Sequence, residues 1–127
     1  MTHDQAVRTA RRIFTFAAIY GAIVLLPVYF SEPMLARAGR AETHPEFLYG
    51  FVGAALAFQL VYAVIGRDPE RFRPLMPVAV IAKLTFFVPC AILFGQARLG
   101  AATFGFACGD LLLAILFAAA WRITRPA

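Results

Sequence analysis

Two ionisable residues stand alone in long apolar runs: Lys83 between Leu75 and Phe94, and Asp110 between Leu99 and Trp121. Hydrocarbon solvates neither an ammonium nor a carboxylate, so each needs the other or an internal polar cavity. Such a pair has two uses. It can fix helix register, as buried polar groups sometimes do without adding stability, or it can mark an ion, proton or substrate path. A nucleophilic or Schiff-base lysine is a third chemistry, but it wants further acid–base groups, and only Asp110 is at hand.

Gln59 and Tyr62 extend the polar set. An amide inside an apolar run must find a hydrogen bond, and a neighbouring helix is its expected partner; Tyr62, three residues on, shares its face. His44 and Glu46 are two metal-type ligands without a third, so no metal site is expected. Their neighbourhood, Thr43-His44-Pro45-Glu46, has the form of a capping box, with the Thr43 hydroxyl accepting from the Glu46 N–H. Cys90 and Cys108 lie in separate runs and form no C-x-x-C pair, so they read as buried, inert thiols. No nucleophile with a base, metal triad or phosphate-cradling glycine loop is present, which argues against an enzyme and against any cofactor.

The elements that must hold these groups follow from composition. Of the 127 residues 61% are apolar and only 15% charged, and mean hydropathy is +0.74, whereas soluble domains are about 45 to 50% apolar and about 25% charged. The charges cluster, leaving four windows long enough to cross a bilayer as helices: 13–30, 47–65, 75–94 and 99–121. The expected fold is therefore all-α, one domain over 1–127, a polytopic antiparallel bundle of four transmembrane helices. The first window follows Arg8, Arg11 and Arg12 and imitates an export signal, but it exceeds the roughly 7 to 15 residues of a signal core, so a retained span is expected.

Small residues predict how the helices meet. Gly50, Gly53 and Ala57 line one face of the second span, and Gly105 and Gly109 one face of the fourth, each allowing a close backbone approach. Pro77 and Pro89 predict a kink in the third span. Asp68-Pro69 begins a turn before it, in a loop whose Arg67, Arg71 and Arg73 are candidates to grip anionic lipid headgroups. Lys83 is nine residues in from Pro74 and Asp110 eleven in from Trp121, depths of about 13 to 14 Å and 16 to 17 Å at 1.5 Å per residue. A direct ion pair between adjacent antiparallel helices is the expected geometry.

Outside the spans, eight arginines (8, 11, 12, 67, 71, 73, 122 and 125) fall on the side of the termini and three (37, 40 and 98) on the other. The positive-inside rule then places both termini in the cytoplasm. The net charge of +5 is used up by this topology signal, with no basic face interleaved with exposed aromatics, so no nucleic-acid partner is expected.

The runs Tyr49 to Leu60 (YGFVGAALAFQL), Arg67 to Pro74 (RDPERFRP), Ile81 to Phe86 (IAKLTF) and Gly109 to Phe117 (GDLLLAILF) resemble those of small bacterial four-span membrane proteins, loosely DoxX-like. In that pattern a glutamate often precedes the lysine, where this chain has Ala82. The resemblance implies a four-helix membrane fold in the cytoplasmic (inner) membrane and no particular activity. The expected function is binding of a hydrophobic molecule, lipid or quinone-like, or of a partner membrane protein, with Lys83, Asp110, Gln59 and Tyr62 as the polar end of an apolar pocket. The alternative is a small transporter or proton path using the same pair, which at four spans would require a homodimer to enclose a route.

Overall fold

The computed structural model describes residues 1–126, and the regular structure of the described chain is all helical, without strands. The order is α1 (His3–Tyr29), α2 (Glu32–Arg37), α3 (Pro45–Arg67), a 3-10 turn (Arg73–Leu75), α4 (Met76–Gly95) and α5 (Ala101–Ile123). α1, α3, α5 and α4 with its preceding turn are each long and apolar enough to span a bilayer. Large apolar side chains such as Phe16, Ile23, Leu60 and Leu112 stand exposed around the outside, as lipid-facing surfaces require. The chain is a multi-pass membrane protein with a four-helix bundle fold.

The helices begin and end for local reasons. α1 starts ten residues before its apolar window because Thr2 and Gln5 form a capping box: the Gln5 N–H donates to Thr2 Oγ1 at 3.2 Å and the Thr2 N–H to Gln5 Oε1 at 2.8 Å. The polar leader is thus helical, with Ala6 and Ala10 buried and Arg8, Arg11 and Arg12 exposed. The capping box expected at Thr43 does not form. Proline favours the first helical position, so Pro45 makes His44 the N-cap, and Thr43 sits one residue too early. The connection before α3 also holds the short helix α2, which ends on left-handed Gly39 (φ 72°).

Asp68 behaves as its sequence suggests, its Oδ1 accepting from the Arg71 N–H at 3.2 Å, but it nucleates turns rather than an α-helix. Pro77 lies in the first turn of α4, where its missing N–H costs nothing. α4 stays helical through Pro89, which leaves the Thr85 carbonyl without its helical donor. α4 ends on Ala97, which adopts φ 56°, a conformation that costs a non-glycine residue about 1 to 2 kcal/mol.

Packing divides the bundle into two antiparallel hairpins. α1 runs along α3 and α4 along α5; α1 also packs on α5, while the backbones of α3 and α4 rarely approach. Between helices in lipid, contact and close approach replace the hydrophobic effect as the driving force. α1 supplies this closeness with Ala10, Ala17, Ala18 and Gly21, all buried. A methyl added at Gly66 would stand 2.7 Å from Thr15 Oγ1 and 3.2 Å from its amide nitrogen, so α3 touches α1 there almost backbone to backbone.

The small-residue faces expected from the sequence are not used this way. A methyl on Gly50 or Gly105 would meet nothing within 4 Å, one on Gly53 or Gly109 only a tyrosine ring carbon or hydroxyl beyond 3.5 Å, and Ala57 is exposed. The buried stripe of α3 runs through Val52, Gln59, Tyr62 and Gly66, which turns the Gly50 to Ala57 face outward.

The core is concentrated toward the end that carries both termini. Phe14 of α1 stacks on Phe117 of α5 with ring centroids 4.4 Å apart, and Tyr62 of α3 tilts against Phe117 at 4.9 Å. Ile65, Met76, Ala79 and Ala120 complete this layer and have almost no exposed surface. Beyond the middle of the bundle the helices bury little besides Gly21, Val52, Cys90 and Ala107, and Ile23, Phe51, Ile92 and Phe106 are open to the surroundings.

Candidate functional site

Lys83 lies on the buried stripe of α4 that runs Met76, Ala79, Lys83, Cys90, and Asp110 on that of α5 between Ala107 and Ala114. Helical periodicity therefore turns both inward, toward each other. Lys83 Nζ donates to Asp110 Oδ1 at 3.1 Å, and the two side chains keep 11% and 22% of their surface. The ammonium also stands 5.4 Å from the centre of the Tyr62 ring, whose π face offers it a second, weaker attraction. Asp110 Oδ2 has no hydrogen-bond partner among the described residues.

This pair sits at the junction of two environments. On one side lies the sealed aromatic layer of Phe14, Tyr62 and Phe117; on the other, the bundle is loosely packed. Tyr20 of α1 reaches the same level, its hydroxyl 3.7 Å from where a Gly109 side chain would begin. α1 thus brings a phenol next to Gly109, the residue before Asp110. Sequence reading missed Tyr20, since nothing along α1 distinguishes it from a membrane-interface tyrosine.

Gln59 is buried but does not reach another helix as expected. Its Nε2 donates to the Ala55 carbonyl of its own helix at 2.9 Å, and Oε1 is left without a conventional donor. Oε1 presses on Gly21: a Cβ there would collide with it, so the hydrogen in that position points at the oxygen. A Cα–H···O contact is what remains to it. Gln59 is a strut between α1 and α3, one turn from Tyr62.

The three loop arginines separate into two kinds. Arg67 and Arg71 are exposed, Arg71 lying over the Phe72 ring at 5.4 Å. Arg73 is not free to grip a headgroup. Its Nη2 donates to the Trp121 carbonyl at 2.7 Å and its guanidinium lies 5.1 Å from the Trp121 ring, so it closes the C-terminal end of α5, where a cation is favoured by the helix dipole. Thr124 completes that closure by donating to the Ala120 carbonyl at 2.7 Å.

The remaining candidates do not join the central site. His44 and Glu46 approach one another at 3.4 Å on the exposed surface, and no cluster of metal-type ligands occurs among the described residues. Cys90 is buried, but Cys108 is exposed on the outer stripe of α5 together with Gly105, Leu112 and Ile115, contrary to the expectation that both thiols are enclosed. A recess of about 630 Å³ opens at the terminal face between His3, Glu70, Arg73, Thr124 and Arg125. The aromatic layer separates it from Lys83.

No family model, curated protein or solved structure matches the chain.

Proposed function

We propose that this chain is an integral protein of the bacterial cytoplasmic membrane, both termini inside, that binds a hydrophobic small molecule with its polar end at Lys83 and Asp110. The observation that carries the reading is the position of the pair. It lies where a sealed half of the bundle meets an open, apolar half, and Asp110 keeps 22% of its side-chain surface. That remaining surface is what a ligand's polar end would need to reach the carboxylate. Here a polar end could reach the carboxylate while an apolar tail lies along the loosely packed half of the bundle.

The same geometry weighs against the pair as part of a proton route within one protomer. Phe14, Tyr62, Phe117 and Met76 fill the terminal half with less than 2% of their surface exposed, and stacked rings offer no chain of hydrogen bonds across that layer. Arg67 and Arg71, exposed at the terminal face, remain suited to anionic headgroups; Arg73 does not.

The reading is tested by extracting the protein from its membrane in polymer-bounded lipid discs and identifying bound molecules by native mass spectrometry. The wild type is expected to retain one molecule enriched over bulk lipid, and the double variant Lys83→Met/Asp110→Leu, checked for folding by thermal melting, to lose it. Recovery of bulk lipid alone, in the same proportions for both proteins, would overturn the proposal.

A further inference from the structure

Resting on that reading, we infer that the bound molecule's polar end is uncharged and is best a hydroxyl group. Lys83 and Asp110 are in contact at 3.1 Å, and their total charge is zero whether the proton sits on nitrogen or on the carboxyl. No other Asp, Glu, Lys or Arg occurs within the windows 13–30, 47–65, 75–94 and 99–121. The groups on the other helices nearest the pair are neutral: Tyr62 on α3, its ring 5.4 Å from Lys83 Nζ, and Tyr20 on α1, its hydroxyl next to Gly109. A charged headgroup would therefore enter a low-dielectric site holding nothing to balance it, which is the arrangement buried ions tolerate least.

The free hydrogen-bonding capacity points the same way. An ammonium carries three donors, of which one is taken by Asp110 Oδ1 and another direction is occupied by the Tyr62 ring. The carboxylate keeps Oδ2. One donor and one acceptor are left side by side, and a hydroxyl uses both: it accepts from Lys83 Nζ and donates to Asp110 Oδ2. A carbonyl uses only the first, and a sulfonate or quaternary ammonium satisfies neither arrangement without leaving a net charge. The class assigned is thus a long-chain molecule with an alcohol-type head.

The test uses three probes with one common hexadecyl chain bearing a diazirine, headed by a hydroxyl, a sulfonate or a trimethylammonium group, photolysed with the protein in zwitterionic nanodiscs. The hydroxyl probe is expected to label residues adjoining Lys83 and Asp110 more than either charged probe by about tenfold. Asp110→Asn, which leaves the lysine unbalanced, should shift labelling toward the sulfonate, and Lys83→Met toward the trimethylammonium. A wild type that prefers a charged probe, or labels equally with all three, would overturn the hydroxyl assignment while leaving the binding site in place. No labelling near the pair by any probe would overturn the site itself. The wild-type comparison decides alone should either variant fail to fold.

Discussion

Lys83 and Asp110 hold each other where neither water nor lipid can replace a lost partner. Changing one to alanine leaves the other as an uncompensated charge, a loss of about 3 kcal/mol or more in buried pairs, whereas changing both removes the charge problem altogether. We therefore expect Lys83→Ala and Asp110→Ala each to destabilise the protein and the double variant to recover part of the loss, with a coupling of about 1 to 3 kcal/mol. Reversible unfolding in bicelles would measure it, and strictly additive losses would contradict direct pairing. These two residues were legible in the sequence because they are the only formal charges inside their windows. The partners of Gln59 were not. Burial obliges an amide to bond, yet whether it turns back to the Ala55 carbonyl or across to a neighbour depends on how near that neighbour comes, and Gly21 comes too near for anything but its own hydrogen.

At the level of helices, the α1–α3 contact depends on two glycines of unlike character. Gly21→Ala would drive a methyl into the Gln59 side chain, and overpacking of this kind costs about 1 to 3 kcal/mol. Because the obstacle is one side chain, Gly21→Ala combined with Gln59→Ala should regain most of the stability. Gly66→Ala should not be rescued by Thr15→Ala, since the Thr15 amide nitrogen itself lies 3.2 Å from the added methyl. Thermal melting of the four proteins would decide, and a Gly66→Ala chain as stable as wild type would refute the close approach. The existence and approximate extent of the spans were readable from apolar run length, which the bilayer imposes directly. Which small-residue face packs was not readable. Gly50, Ala57 and Gly105 satisfy the same spacing rule as Gly21 and Gly66, and only the rotation of each helix, set by Tyr62, Phe14 and Phe117, selects between them.

For the whole molecule, four membrane-length helices put both termini at one end of the bundle, and the arginine asymmetry leads us to propose that this end faces the cytoplasm. With Cys90 and Cys108 replaced by serine, a membrane-impermeant maleimide should label Ala41→Cys in intact cells but Pro126→Cys only after lysis; the reverse pattern would invert the assignment. Fold class was legible because hydropathy and length decide it, while the unequal packing of the two ends was not, since no local pattern encodes how far helices splay. The division into hairpins has a bearing on biogenesis. Lysine and aspartate are 27 residues apart and belong to the same hairpin, so the ammonium leaves the ribosome first and its counter-ion follows within one helix and a turn. Insertion of α4 and α5 as a unit carries no net charge into the bilayer, so this later-made half of the protein meets α1 and α3 with its charges already matched.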